Sequence, residues 1–120
     1  MKFIQANNIV LNCHLSGNPE GVPLVFINSL GTDLRIWDEV VPHCEQDFCV
    51  VRYDKRGHGL SDCPPAPYSL RDHAQDLVAL LDELAIETAV LIGISVGGMI
   101  ALAVAAAWPG RVHKLVLCDT

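Results

Sequence analysis

AVLIGISVGGMIALAVAAAW, residues 89–108, runs for twenty residues without a formal charge and divides at its glycines. Ala89–Ile94 is short, apolar and β-branched, the composition of a strand buried on both faces of a parallel sheet. Met99–Trp108 is rich in alanine and favours a helix. Between them Gly93-Ile94-Ser95-Val96-Gly97 reads G-x-S-x-G in the strand-to-helix setting that a nucleophile elbow requires. There the serine sits on a strained turn with its hydroxyl above the sheet, and glycines two positions to either side remove side chains that would collide. Ser95 is therefore the candidate nucleophile. The competing assignment is a structural serine in a glycine-rich turn, and the strand before and helix after favour the elbow. About twenty apolar residues would also span a bilayer. Three clustered glycines, preceded by β-branched residues and followed by alanines, predict a break in the run instead.

The composition supplies enough apolar content for a real core. With 120 residues and 51% hydrophobic content the chain has the size of one ordinary domain. A net charge of −6 with no basic cluster argues against nucleic acid or an anionic membrane surface as a partner. MKFIQANNIV at the amino terminus has one lysine, no continuous apolar stretch and no small-residue cleavage site. No secretory signal is read there, and a cytoplasmic location is expected. The five cysteines are odd in number and contain no C-x-x-C pair, so neither a disulfide framework nor a zinc site is expected. No other metal or cofactor is expected.

From the amino terminus, Phe3–Ile4 and Ile9–Leu15 flank Asn7-Asn8 and predict a half-buried antiparallel hairpin at a sheet edge. Leu24–Ile27 reads as the first interior strand, followed by the polar loop Asn28–Asp33. Leu34, Trp37, Val40 and Val41 then recur at helical spacing and predict a short helix ending near Pro42. Phe48–Tyr53 is a second interior strand, and the Pro-rich Cys63–Pro67 a surface linker. Ser69 and Asp72 form an S-x-x-D capping box. The helix after it carries Leu70, Ala74, Leu77, Leu81 and Leu84 as one apolar stripe, with Arg71, Asp72, Asp76, Asp82 and Glu83 mostly off it. In the helix after Ser95, Gly97, Ala101 and Ala105 stand four apart and predict close packing on the sheet. Pro109-Gly110 stops it, and Val112–Cys118 supplies one more strand. Alternating strands and helices imply an α/β domain, a mostly parallel sheet with flanking helices and functional loops at the carboxyl ends of its strands.

These residues resemble the α/β-hydrolase superfamily over almost the whole chain, and within it the 3-oxoadipate enol-lactonases. The likeness rests on Asn28-Ser29-Leu30-Gly31-Thr32-Asp33 with Trp37, on Arg52-Tyr53-Asp54 leading into Arg56-Gly57-His58-Gly59 and Ser61, on Gly93–Gly98, and on Leu115–Thr120. The elbow and the RGHG turn are shared across the superfamily. The NSLGTD loop and the LCDT ending are narrower and favour the lactonases. The resemblance implies Ser95 as nucleophile of a small carboxylic ester or lactone, and the chemistry agrees. The attacked carbonyl gathers negative charge on its oxygen, which needs fixed N–H donors in a dry site. Val96 N–H, at the start of the helix, is one expected donor. By the family's pattern the second is the backbone N–H of Leu30.

A general base and a group to orient it are also required, in the superfamily order Ser, Asp or Glu, His. Only His113 and Asp119 follow Ser95 among acids and histidines. A helix of about a dozen residues carries the chain about 18 Å away from Ser95 before His113, which places that histidine at the opposite end of the sheet. Asp119 ends the next strand at the correct edge, where some relatives place the acid, whereas more place it one strand later. His58 belongs to a structural turn by resemblance, and His14, His43 and His73 have no partner in view. The resemblance therefore implies that residues 1–120 are the amino-terminal part of one domain about twice as long, incomplete at the carboxyl end and inactive alone. Its alternatives are a general carboxylesterase of the same fold and a non-catalytic module that keeps the pocket loops.

Overall fold

A computed structural model describes residues 1–120. Asn7 and Asn8 both take positive φ, 53° and 65°, the conformation of a two-residue hairpin turn whose twist matches its strands. They fold Lys2–Ala6 (β1) back antiparallel on Ile9–Gly17 (β2), as the alternation predicts. Val22–Ile27 (β3), Phe48–Tyr53 (β4), Ala89–Ile94 (β5) and Val112–Cys118 (β6) complete a six-stranded sheet in the order β1-β2-β4-β3-β5-β6. β2 pairs antiparallel with β4, whereas β3 is parallel to both β4 and β5, and β5 is parallel to β6. The long uncharged run thus divides into a strand and a separate helix, and no helix is long and apolar enough to cross a membrane.

Leu70–Glu83 (α1) and Val96–Ala107 (α2) cover one face of the sheet. There Val25, Ile27, Val51, Tyr53, Ala89 and Leu91 pack against Leu77, Leu81, Ile100 and Val104. The alternate residues Leu24, Phe26, Val50 and Val90 pack on the other face with Trp37 and Val41. Burial on both sides is why β3, β4 and β5 read as continuous apolar runs. The predicted capping box is present in both directions: Ser69 Oγ accepts from Asp72 N–H, and Asp72 accepts from Ser69 N–H.

Three expectations are corrected. The helix after β3 is instead a pair of 3-10 turns, Leu34–Trp37 and Val41–His43. Pro42 has no N–H to give and its ring opposes the carbonyl of Asp38, so an α-helix cannot run through to it. Asp76 does not face solvent from α1: it is buried, where it takes a bidentate pair from Arg56 at 2.6 and 2.8 Å and a third bond from Asn7 Nδ2 at 2.8 Å. Finally, α2 presses on the sheet through Gly97 and Ala101 as predicted, with Gly98, Ile100 and Val104 buried too, but Ala105 is only half-buried and Met99 and Leu102 are exposed. Val116 and Leu117 of the edge strand β6 are exposed as well.

The Asp76 cluster joins the hairpin, the turn after β4 and α1 through one carboxylate. Removing one partner strands a buried charge, so Asp76→Asn should lower unfolding free energy by about 3–5 kcal/mol. Urea denaturation of the full-length protein measures this. A loss below about 1 kcal/mol, the scale of an exposed pair, would show that the cluster is no more than surface pairing.

Candidate active site

β3 and β5 are adjacent and parallel, with Ile27 opposite Gly93. Two residues beyond Gly93 lies Ser95, and three residues beyond Ile27 lies Leu30, so both leave the same carboxyl edge of neighbouring strands about 4.8 Å apart. Ser95 adopts φ 55° and ψ −120°, a conformation that L residues hold only when the surroundings enforce it. Here they do. A Cβ on Gly93 would run into the backbone of Gly97, and one on Gly97 would run into the carbonyl of Ile27. The two glycines of G-x-S-x-G therefore let α2 start directly over the ends of β3 and β5. Ser95 N–H is tied to Cys118 O at 2.9 Å, which anchors the bend to β6. The Ser95 side chain is exposed and caps nothing.

In the first turn of α2, Ser95 O accepts from Gly98 N–H at 3.0 Å and from Met99 N–H at 3.3 Å. Val96 N–H lies ahead of these and has no acceptor within the helix, as the first amides of any helix do not. Leu30 N–H likewise has no acceptor in the chain. Its side chain is 75% exposed, so the loop presents its backbone rather than a packed residue.

That loop is gripped from β4 and the turn after it. Asn28 is buried, donates to Tyr53 O at 2.8 Å and accepts from Trp37 Nε1 at 2.7 Å. Arg52 donates to Leu34 O and to Asp38. The buried Asp54 carboxylate accepts from Leu34 N–H at 2.8 Å, Asn12 Nδ2 at 2.9 Å and Leu60 N–H at 3.0 Å. Lys55 donates to Ser29 O at 2.9 Å. Burial lowers the pKa of Lys55 to about 8, although the neighbouring Asp54 charge opposes the shift. The sequence marks these residues only as a charged turn after an apolar strand, which ordinarily means a solvated surface. The available signal was their position, at the functional edge beside a glycine-containing loop.

The histidines lie where their positions in the chain predict. His113 opens β6 at the edge opposite Ser95, since Val112 pairs with Ala89 and Cys118 with Ile94. His58 Nδ1 donates to Arg56 O at 3.0 Å within the turn. His14 accepts from Arg52 at 3.1 Å, and its pKa is lowered by burial and then by that cation. His73 stands edge-on to Tyr68, with a pKa lowered chiefly by burial. His43 ends a 3-10 turn. Asp119 follows β6 at the same edge as Ser95, with φ 49°. No group of three or more His, Cys, Asp or Glu is arranged to hold a metal ion.

A strained serine between a buried parallel strand and a helix, flanked by glycines that admit no Cβ, is matched by the comparison with known families: residues 22–120 fit the alpha/beta hydrolase fold. The chain belongs to the alpha/beta hydrolase family. Among curated relatives of this chain, 3-oxoadipate enol-lactonase 2 of Acinetobacter baylyi is 35% identical over 117 residues, which are 98% of this chain and 44% of the lactonase. A non-heme chloroperoxidase of Streptomyces lividans is 38% identical over 103 residues, 84% of this chain and 37% of that protein. The crystal structure of the enol-lactonase from Burkholderia xenovorans LB400 superposes with a TM-score of 0.93 at 34% identity, over 95% of this chain and 45% of that one. This alpha/beta hydrolase chain thus spans less than half the length of these relatives.

Proposed function

We propose that residues 1–120 are the amino-terminal part of a single-domain serine hydrolase of small carboxylic esters or lactones, with 3-oxoadipate enol-lactone as its substrate. One observation carries the reading: Ser95 is held at φ 55° by glycines that leave its hydroxyl exposed at the sheet edge. Ser95 attacks the carbonyl as the base takes its proton, and the N–H groups of Val96 and Leu30 receive the developing oxyanion; the acyl C–O bond then breaks, the alcohol or enol oxygen leaves with that proton, and water hydrolyses the acyl-enzyme to release the acid and restore Ser95. The histidine base is supplied by the remaining length of the domain: His113 lies at the opposite edge, His14, His58 and His73 are engaged by Arg52, the Arg56 carbonyl and Tyr68, and His43 ends a 3-10 turn ahead of β4. Asp119, which follows β6 at the Ser95 edge, is one candidate for the acid, and a residue one strand later is the other. No cofactor is required for this chemistry, and the five free thiols suit the cytoplasm.

The lactone assignment is supported by the NSLGTD and LCDT stretches and by the two enol-lactonase relatives. Steady-state hydrolysis by the full-length protein tests it. The expected result is a higher kcat/KM for 3-oxoadipate enol-lactone than for p-nitrophenyl acetate. Good turnover of the neutral aryl ester with none of the lactone would favour a general esterase.

A further inference from the structure

Lys55 is 1% exposed, yet it follows an aspartate in a charged surface turn, where a lysine would ordinarily extend into water. Burying its ammonium is costly unless the charge is used. Its one hydrogen bond, at 2.9 Å, goes to the carbonyl oxygen of Ser29. Thr32 Oγ1 donates to the same oxygen at 2.7 Å, and the Ser29 and Thr32 hydroxyls lie 3.1 Å apart. That carbonyl belongs to the peptide group whose other end is Leu30 N–H. The Ser29–Leu30 bond is trans, because the chain's cis peptide is Ala66–Pro67. In a trans peptide the C=O and N–H point in opposite directions and share one plane. Fixing the oxygen from within the fold therefore aims the N–H outward.

We propose that Lys55 is a positioning residue for catalysis: its ammonium and the Thr32 hydroxyl clamp and polarise the Ser29–Leu30 peptide, holding Leu30 N–H ready for the oxyanion beside Ser95. This rests on Leu30 being the oxyanion donor. A cation on the carbonyl oxygen draws electron density through the peptide and makes its N–H a stronger donor. Hydrogen bonds coupled in series reinforce one another in this way. The benefit is largest when the bound oxygen is most negative, so Lys55 acts on the transition state more than on substrate binding. Thr32 supplies a second tether, so loss of the ammonium alone leaves the peptide in place but less polarised.

The test is Lys55→Met in the full-length protein, assayed with an ester or lactone it hydrolyses. Methionine is likewise unbranched, ends one atom short of the Nζ position, and removes the charge and the donor. The expected result is a kcat lower by about tenfold with KM within about twofold, since a weakened donor loses part of what a deleted one loses. A second readout needs no variant. Lys55 sheds its proton as pH rises through about 8, so wild-type kcat should fall across that range, and the fall should be absent in Lys55→Met. The charged groups facing Lys55 are Asp54 beside it and His73 of α1. The His73 proton is held more weakly than usual, chiefly because of burial, and is gone below that range. Wild-type kcat in a folded Lys55→Met, or a wild-type profile flat from pH 7 to 9, would overturn the proposal. If Lys55→Met does not fold, the wild-type profile decides. Full turnover in Ser95→Ala would overturn the hydrolase reading along with it, whereas an inactive Ser95→Ala beside a fully active Lys55→Met removes the Lys55 role alone.

Discussion

Ser95→Ala in the full-length protein is expected to lower kcat for ester and lactone hydrolysis by at least about 10⁴-fold, because a nucleophile and its base act as one unit. KM and the thermal melting curve should stay close to wild type. The Ser95 side chain is exposed and holds no cap, so the hydroxyl contributes nothing to folding. The strain at φ 55° is set by the close approach of Gly93 and Gly97 to backbone, and alanine inherits it unchanged. A large loss of turnover without a loss of stability is the signature of a residue used only in chemistry. Retention of more than about 1% of wild-type turnover lies far above what a triad serine leaves, and would remove Ser95 from the mechanism.

The second large effect separates backbone from side chain at residue 30. Leu30→Pro deletes one N–H and should lower kcat by about 10²–10³-fold, the cost of losing one oxyanion donor. Leu30→Ala should be nearly silent, since the side chain is mostly in solvent and the amide is untouched. Proline also restricts Ser29 before it, so the comparison is read in KM and melting temperature as well. A donor used only in the transition state changes kcat alone. Equal losses in the two variants would mean that the oxygen is held elsewhere.

The match between sequence and structure is uneven for physical reasons. β4 and β5 begin and end where their apolar runs do, because strands buried on both faces need no longer-range information to be recognised; β6 matches its apolar run as well, although it lies at the sheet edge with Val116 and Leu117 exposed. The Asn7-Asn8 turn and the Ser69–Asp72 cap are equally local, each being a backbone conformation and its own side chains. The stretch after β3 misled because apolar spacing at Leu34, Trp37 and Val41 is the same for an α-helix and for two 3-10 turns meeting the sheet. Pro42 settles which one forms.

Spacing along the chain suffices for the succession of strands and helices, the glycine-flanked turn at Ser95 and the remoteness of His113 from it. Only the tertiary structure decided the fate of the charges. Asp54, Lys55 and Asp76 look like surface residues until a carbonyl, amides and an arginine arrive from residues 20 or more positions away. A charge is buried or solvated according to whether distant partners repay its dehydration, and that sum is not written in any local window. The loop that carries Leu30 is shaped by those partners, so its place beside Ser95 emerges only once β3, β4 and β5 lie side by side.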